Sequence, residues 1–370
     1  MTTDIEPIVM PKWGLAMTEG LLTSWLVDEG VELKPGTEIA EIETTKIANV
    51  FETPIEGKLR KLVATEGETL PVGALLAVIA DDEVSNENIE AYVTTFQENF
   101  VPEETGEEAG PEPETVSVGE HRISYLKVGE GEGDPVLLIH GFGADTTGWM
   151  FNQTALADGR PVYALDLPGH GRSSKFVGDG SVTALSKAVS GFTAALGLKN
   201  VHLVGHSLGG AIAIAAATEV GAKSLTVIDP AGLGTDINIG FLQGFIDGKR
   251  GKQLKPVLEQ LVADKSLISR DMINEVIKFK RVDGVLAGLQ AIVDSNFAGG
   301  VQSIDLRATV KDLAIPVSVI WGREDEIIPV SQAEGIGDST GVTVIDGAGH
   351  IPQMEKASEV NDIILATIGA

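Results

Sequence analysis

Cysteine is absent from this chain of 370 residues. Disulfides, thiolate metal sites and a cysteine nucleophile are therefore excluded, and no metal site is expected. Basic residues are scarce, since 27 Lys and Arg stand against 54 Asp and Glu, which gives a formal charge of −27. A surface of that sign repels nucleic acid and anionic membranes, so neither is an expected partner.

Two further absences concern location. No run of 18 apolar residues is present, which argues against a membrane-spanning helix. The first ten residues, MTTDIEPIVM, lack the basic start and apolar stretch of a secretory signal. We therefore expect a cytoplasmic protein. With 43% hydrophobic residues the chain can bury a core, and its length predicts two or three domains.

The first 80 residues contain an internal repeat. Their short alternating apolar runs, bounded by Gly, Pro and Asp, are typical of β-strands. A repeat with a fixed period indicates a duplicated unit, so residues 1–80 are predicted to form a small, quasi-symmetric all-β domain. A single lysine, Lys46, falls at the junction of the two copies, a predicted hairpin tip at which a side chain could carry a covalent group. Three glycines recur 37 positions later: Gly20 as Gly57, Gly30 as Gly67 and Gly36 as Gly73.

Residues 81–118 are predicted to be an acidic linker. The stretch 81–116 holds twelve Asp and Glu and no Lys or Arg, and it ends in the Pro- and Glu-rich sequence VPEETGEEAGPEPET. Such a composition favours an extended, self-repelling chain. Within it, apolar residues at helical spacing predict a short helix over 86–100. Two interpretations of that helix stay open, namely packing on a neighbouring domain and docking of a partner protein.

Residues 119–370 show a different rhythm, in which apolar runs alternate with helical stretches. Runs that are apolar throughout suit a parallel sheet covered by helices on both faces. The segment between the fourth and fifth runs is longer than an ordinary crossover, and residues 232–300 are predicted to form a helical cap. The six predicted strands are 135–140, 161–166, 201–206, 225–229, 316–321 and 342–346.

A catalytic motif follows the third of these runs. The sequence Gly-His-Ser-Leu-Gly, residues 205–209, lies between a strand and a helix-forming stretch, the context of a nucleophile elbow. We predict Ser207 as the nucleophile and His350, which follows the last strand, as its base. Asp325 is the predicted orienting acid, with Asp229 as the alternative. The backbone amides of Phe142, in an HGFG sequence, and Leu208 are predicted to form the oxyanion hole.

Both halves resemble known families. MPKWGLAMTEG and IETTKIANVFETPIEG, the latter around Lys46, resemble the lipoyl domains of 2-oxoacid dehydrogenase-type complexes. HGFG, DLPGHGRSS, GHSLGG and the terminal GAGH resemble the α/β-hydrolases. Lipoyl hairpins commonly have Asp before the lysine, whereas this chain has Thr45. Biotin carriers usually flank the lysine with methionines. Because Thr45 and Ile47 stand there instead, the hairpin resembles a lipoyl hairpin more than a biotinyl one.

The combination is similar to the acetyltransferase components of acetoin dehydrogenase complexes. This resemblance implies covalent lipoate on Lys46, coenzyme A as acyl acceptor, and a homo-oligomer. It also implies two partner enzymes, a thiamin-diphosphate-dependent acetoin-cleaving component and dihydrolipoamide dehydrogenase. No peripheral-subunit-binding domain is recognisable, so the helix predicted in 81–118 is a candidate for partner contact. The sequence shows no evident basic cluster for the nucleotide end of coenzyme A.

Three functions remain open from the sequence. The first is transfer of an acetyl group from the lipoyl arm to coenzyme A, through Ser207, His350 and Asp325. The second is a serine hydrolase that uses water as acceptor for an acyl-lipoyl thioester or a small ester. The third is a lipoyl carrier and scaffold with a vestigial hydrolase domain. The acceptor of the acyl group, coenzyme A or water, distinguishes them.

Overall fold

A computed structural model of the chain divides into two compact units, Met1–Gly110 and Pro111–Ala370. As far as its residues are described, the first is an all-β unit with one helix, and the second is an α/β unit built on a mostly parallel sheet. The predicted fold class is thereby confirmed. The residues that the structure describes are 5–13, 17–44, 48–100, 112–336 and 340–369.

Two four-stranded antiparallel sheets make up the first unit, with strand orders β1-β8-β6-β3 and β5-β4-β2-β7. Apolar side chains from both sheets, among them Leu22, Ile42, Leu59 and Leu76, form one buried core. The elements are β1 (Ile5–Val9), β2 (Glu19–Trp25), β3 (Glu32–Leu33), β4 (Glu38–Glu43), β5 (Ala48–Glu52), β6 (Gly57–Leu62), β7 (Thr69–Pro71), β8 (Leu75–Ala80) and α1 (Asn86–Asn99).

The 37-residue repeat is visible in this topology. Strands β2, β3 and β4 correspond to β6, β7 and β8, and exchanging the two copies converts one strand order into the other. The close contacts repeat as well. A Cβ on Gly20 would lie 2.8 Å from Cγ2 of Ile42, and a Cβ on Gly57 would lie 2.5 Å from Cγ2 of Ile79. The predicted duplication is confirmed, and it explains why glycine occupies both positions.

The junction of the two copies is the connection between β4 and β5. These strands pair antiparallel, with Glu43 opposite Ala48, so residues 44–47 join their paired ends. Lys46, together with Thr45 and Ile47, lies outside the described residues.

Helix α1 packs on the first unit. Ser85 caps its first turn by accepting the N–H of Asn88, and Ile89 and Val93 are buried against Val78 and Ala80 of β8. Ion pairs fasten the same region, between Lys58 and Asp82 (2.6 Å) and between Lys61 and Glu90. Packing on a neighbouring domain is thus one role that α1 fulfils.

The second unit contains one eight-stranded sheet and nine α-helices among the described residues. The six apolar runs predicted as strands all lie in this sheet, as β11 to β16. The elements are β9 (Glu114–Val118), β10 (His121–Val128), β11 (Val136–Ile139), β12 (Val162–Leu165), α2 (Val182–Ala195), β13 (His202–His206), α3 (Leu208–Val220), β14 (Ser224–Ile228), α4 (Ile239–Asp247), α5 (Gly251–Leu258), α6 (Arg270–Lys280), α7 (Val285–Asn296), α8 (Arg307–Asp312), β15 (Val317–Gly322), β16 (Gly341–Ile345), α9 (Pro352–Glu355) and α10 (Ala357–Ile368).

The sheet has the order β16-β15-β14-β13-β11-β12-β10-β9, with β11 to β16 parallel. Side chains alternate between its faces, so that Leu137 and Leu203 pack in one apolar layer while Val136 and Val204 pack in the other. Helices α2 and α3 supply the first layer and α10 the second. Burial on both faces explains why these strands are apolar throughout.

Two antiparallel strands at the sheet edge correct the predicted linker. β9 pairs with β10, with Val116 opposite Ile123, so the sheet begins before residue 119 and residues 114–118 are not part of a linker. β9 alternates polar and apolar residues in ETVSV, and at an edge only one of its faces is covered. Its acidic context conceals this pattern. Helices α4 to α7 lie between β14 and β15, in the segment predicted as a cap.

Candidate active site

Ser207 stands in the turn between β13 and α3. Its backbone has φ 52° and ψ −118°, a strained conformation for a residue with a side chain. Glycines make room for the turn, because a Cβ on Gly205 would lie 2.3 Å from the carbonyl oxygen of Gly209. A Cβ on Gly209 would lie 2.2 Å from that of Ile139. The turn therefore requires small residues on both sides of the serine, as a nucleophile elbow does.

A continuous chain of hydrogen bonds joins the three predicted residues. Ser207 Oγ lies 2.9 Å from His350 Nε2, and His350 Nδ1 lies 2.8 Å from Asp325 Oδ2. The other oxygen of Asp325 accepts the N–H groups of Ile327 (2.7 Å) and Ile328 (3.0 Å). Burial would raise the pKa of the Asp325 carboxyl, but the charge and hydrogen bond of His350 outweigh it and hold that pKa below its usual value.

Asp229, the alternative acid, lies beside this chain but outside it. Its polar atoms come within 4.8 Å of those of Asp325 and His350, and one of its oxygens accepts the N–H of Gly322 (2.9 Å). Burial, with the neighbouring Asp325 carboxylate second, raises the pKa of Asp229 well above its usual value. The two carboxyls thus differ, since the environment favours the protonated form of Asp229 and the ionised form of Asp325. The two carboxylates next to Asp325 face elsewhere, since Glu324 accepts the N–H of Ala348 and Glu326 pairs with Lys265.

The predicted oxyanion donors are available. Neither the N–H of Phe142 nor that of Leu208 donates to any described residue. The loop of Phe142 adjoins the serine, because a Cβ on Gly141 would lie 3.0 Å from Ser207 Cβ. Two amides without acceptors beside a nucleophile can stabilise the negative oxygen of a tetrahedral intermediate.

Two buried histidines shape that loop, and sequence reasoning gave neither of them a role in catalysis. His170 Nε2 accepts the N–H of Gly143 (3.1 Å), and His140 Nε2 accepts the N–H of Leu167 (3.0 Å). Burial lowers the pKa of both imidazoles, which keeps them neutral and able to accept. The structure buries His170 completely. The HGFG and PGHG sequences contain these residues, but spacing alone cannot show that they meet.

His206, within the elbow, supports the catalytic histidine. Its Nε2 lies 2.6 Å from the backbone oxygen of His350, and burial lowers the pKa of its imidazole to about 3. This hydrogen bond fixes the main chain of His350.

The cap also contacts the loop that carries His350. The backbone N–H of His350 donates to the carbonyl of Leu261 (2.8 Å). Glu355 bridges the same elements, because its two oxygens accept the N–H groups of Ala263 and Gly349, each at 2.7 Å. Ser207 and His350 retain only 8% and 2% of their accessible surface. Both side chains are thus largely buried.

The buried Glu355 predicts a measurable pH dependence of stability. Burial raises the pKa of its carboxyl from 4.5 to about 7, against the backbone hydrogen bonds that lower it. Because the folded-state pKa is the higher one, the contribution of Glu355 to the free energy of unfolding is greatest below pH 4.5 and is lost as the pH rises through 7. Glu355→Gln cannot ionise and should not show this loss. Denaturant unfolding at pH 5 and pH 8 should show a decrease in the wild type that exceeds the variant's by about 2 to 3 kcal/mol.

The matched control is Glu359→Gln, at an exposed position of α10. It should keep the pH dependence of the wild type. Equal pH dependence in the wild type and Glu355→Gln would contradict the assignment of this titration to Glu355.

Fold and site together define a carrier domain of the biotinyl or lipoyl type combined with a serine-type α/β-hydrolase domain. Family models agree, since one described as "Biotin-requiring enzyme" matches residues 6–79 and one described as "Alpha/beta hydrolase family" matches residues 136–363.

Two known proteins are similar to this chain over its whole length. The chain is 42% identical to the dihydrolipoyllysine-residue acetyltransferase component of the acetoin cleaving system of Pseudomonas putida, over 98% of both chains. It is 41% identical to that of Cupriavidus necator over the whole of both. The chain belongs to this family of acetyltransferase components.

Hydrolases are similar to part of the chain. A 2-hydroxy-6-oxononadienedioate/2-hydroxy-6-oxononatrienedioate hydrolase of Paraburkholderia xenovorans is 29% identical over 67% of this chain and 90% of its own length. The solved structure of a meta-cleavage product hydrolase from Pseudomonas fluorescens superposes with a TM-score of 0.62 at 23% identity, covering 69% of this chain and 97% of its own. These likenesses support the α/β-hydrolase fold. Within the described ranges, every helix is too short or too polar to cross a membrane.

Proposed function

We propose that this chain transfers an acetyl group from a lipoyl group on Lys46 to the thiol of coenzyme A, as a component of an acetoin-cleaving system. The observation that carries the proposal is the unbroken chain from Ser207 through His350 to Asp325, in a protein similar along its whole length to acetyltransferases. Its partners are then a thiamin-diphosphate-dependent enzyme that cleaves acetoin and a dihydrolipoamide dehydrogenase.

The connection between β4 and β5 suits an attached arm. The two strands are paired up to Glu43 and Ala48, and Lys46 is the one lysine among the residues that join them. A primary amine between two paired strands is the group that an amide-linked lipoyl requires. When attached there, the lipoyl group would present acetyl as a thioester on a long flexible arm.

Ser207 begins the reaction. Its Oγ attacks the carbonyl carbon of the thioester while its proton passes to His350 Nε2, which lies within hydrogen-bond distance. The C–S bond then breaks, and His350 returns the proton to the leaving sulfur. Acetyl-Ser207 results. Asp325 holds the Nδ1 proton of His350 and stabilises the imidazolium while it exists.

Coenzyme A completes the cycle by the same steps in reverse order. Its thiol gives a proton to His350, its sulfur attacks the acetyl carbon, and Ser207 Oγ recovers the proton as the ester bond breaks. In both halves the tetrahedral oxygen is stabilised by the N–H groups of Phe142 and Leu208.

A hydrolase is the second candidate, because its machinery is the same and the Paraburkholderia relative is a hydrolase. A vestigial site is less consistent with the structure, which preserves every hydrogen bond of the triad.

The acceptor decides between transfer and hydrolysis. The full chain, supplied with the acetyl thioester of free dihydrolipoamide and with coenzyme A, should form acetyl-coenzyme A in excess over acetate. Both products are followed in the same reaction by liquid chromatography. Release of acetate without acetyl-coenzyme A would replace the acetyltransferase by a hydrolase.

A further inference from the structure

The cap differs from the rest of the chain in charge. Residues 232–300 contain nine Lys and Arg against eight Asp and Glu, a net formal charge of +1 in a chain of −27. Residues 1–80 alone carry −7. An acidic protein repels a polyanionic ligand, so a polyanion would approach where the sign of the surface reverses.

Three of the cap's cations are adjacent and uncompensated. Lys249, Arg250 and Lys252 are exposed and form no ion pair with any described residue. Asp247 is the acid nearest to them in sequence. Other cap lysines have partners, since Lys255 lies 3.7 Å from Glu259, Lys265 lies 3.4 Å from Glu326, and Lys278 pairs with Glu275. We refer to Lys249, Arg250 and Lys252 as the cap cation cluster.

The backbone beneath the cluster is held in place. The buried amine of Lys280, on α6, donates to the carbonyl oxygens of Phe245 and Gly248, immediately before the cluster. The N–H of Lys249 donates to Gln253 Oε1 (3.1 Å). Lys249 and Arg250 therefore stand on a defined turn between α4 and α5, and Lys252 lies in the first turn of α5, so the cluster needs little ordering when it binds a ligand.

Helix α4, which ends just before the cap cation cluster, also contacts a loop of the catalytic site. The ring of Phe245 lies 2.6 Å from the position of a Cβ on Gly143, and its centroid lies 5.8 Å from that of Phe142. Lys249 is four positions after Phe245, a distance of at most about 15 Å between the two Cα atoms even along an extended chain. The cap cation cluster is thus near the loop of the oxyanion donor Phe142 but does not touch it.

We propose that the cap cation cluster binds the phosphate groups of coenzyme A. This inference rests on the proposed acetyl transfer and specifies where its acceptor is recognised. The phosphates of the nucleotide end meet Lys249, Arg250 and Lys252, and the long pantetheine arm carries the thiol to Ser207. Three cations within four residues form a small site. Such a site suits the compact phosphate groups of coenzyme A better than it suits the wide surface of the acidic carrier domain as a ligand.

The test compares coenzyme A with pantetheine, which has the same thiol and arm but no nucleotide. Lys249→Glu, Arg250→Glu and Lys252→Glu should each raise the KM for coenzyme A roughly three- to tenfold, as expected for the loss of exposed charge pairs. The KM for pantetheine and the kcat with either thiol should not change. Lys199→Glu is the matched control, because Lys199 is exposed and precedes β13, at the opposite end of that strand from Ser207.

Direct binding provides a readout without catalysis. Calorimetry on the full chain should detect adenosine 3′,5′-bisphosphate with the wild type and Lys199→Glu, and weaker binding with the three cluster variants. No binding by the wild type would overturn the inference. So would equal effects of the variants on coenzyme A and pantetheine, or a change confined to the KM for the lipoylated carrier domain. A wild type that binds the bisphosphate but transfers acetyl to neither thiol would contradict the proposed function and leave the binding site in place.

Discussion

Ser207→Ala is expected to lower the rate of acetyl transfer on the order of a million-fold, the usual cost of removing a triad nucleophile. The side chain makes no contact that the fold requires beyond its bond to His350, so folding and the transition temperature should be preserved. A small residual rate should persist, because the amides of Phe142 and Leu208 remain in place. The measurement is steady-state transfer from the acetyl thioester of free dihydrolipoamide to coenzyme A.

Two further variants test whether the residues act as one unit. His350→Ala should cost nearly as much as Ser207→Ala, and the double variant little more than either. Asp325→Asn should cost less but still much, because the histidine loses the partner that sets its tautomer. Near-normal transfer by Ser207→Ala would refute acetyl-Ser207 and leave His350 to activate coenzyme A directly.

Lys46→Arg is expected to abolish attachment of the lipoyl group, since a guanidinium retains the charge but cannot form the amide. In lipoate-competent cells the intact mass of the wild type should exceed that of the unmodified chain by one lipoyl group, and the variant should lack this increment. Acetyl transfer that depends on the acetoin-cleaving partner should disappear. Transfer from the free dihydrolipoamide thioester should be unchanged, because Ser207 and its partners lie in the other unit.

Lys34→Arg is the control, as Lys34 belongs to the same unit but lies outside the connection between β4 and β5. It should be modified like the wild type. A biotinyl adduct on the wild type, or a lipoyl group on another lysine of Lys46→Arg, would contradict the assignment.

The strands and the triad were predictable because local patterns encode them. Strands buried on both faces must be apolar throughout, and an elbow requires glycines at 205 and 209 whatever surrounds it. β9 was hidden because an edge strand needs only one apolar face. The choice between Asp325 and Asp229 also needed coordinates, since both follow apolar strands and only the hydrogen bond to His350 separates them.

Other features depend on residues distant in sequence. The burial of Ser207, which is 8% exposed, depends on the surrounding loops rather than on the elbow motif. The hydrogen bond between His170 and Gly143 joins residues 27 positions apart, and that between His206 and the main chain of His350 joins residues 144 positions apart. The cap cations lie close together in the sequence, at positions 249, 250 and 252, but the sequence does not show whether acidic side chains pair with them. The structure shows that Lys255, Lys265 and Lys278 pair with carboxylates, whereas Lys249, Arg250 and Lys252 form no ion pair with any described residue and keep their charge available to a ligand.

The exchange of strands between the two repeats makes each copy dependent on the other for folding. Each copy places its strands in both sheets, since β2 and β4 pair together while β3, from the same copy, pairs with β6. A peptide of one copy would therefore leave both sheets incomplete and its apolar residues in water. Two copies on separate peptides would have to associate, whereas one chain that carries both folds without dependence on concentration. The connection between β4 and β5 is the point at which that single chain passes from one copy to the other.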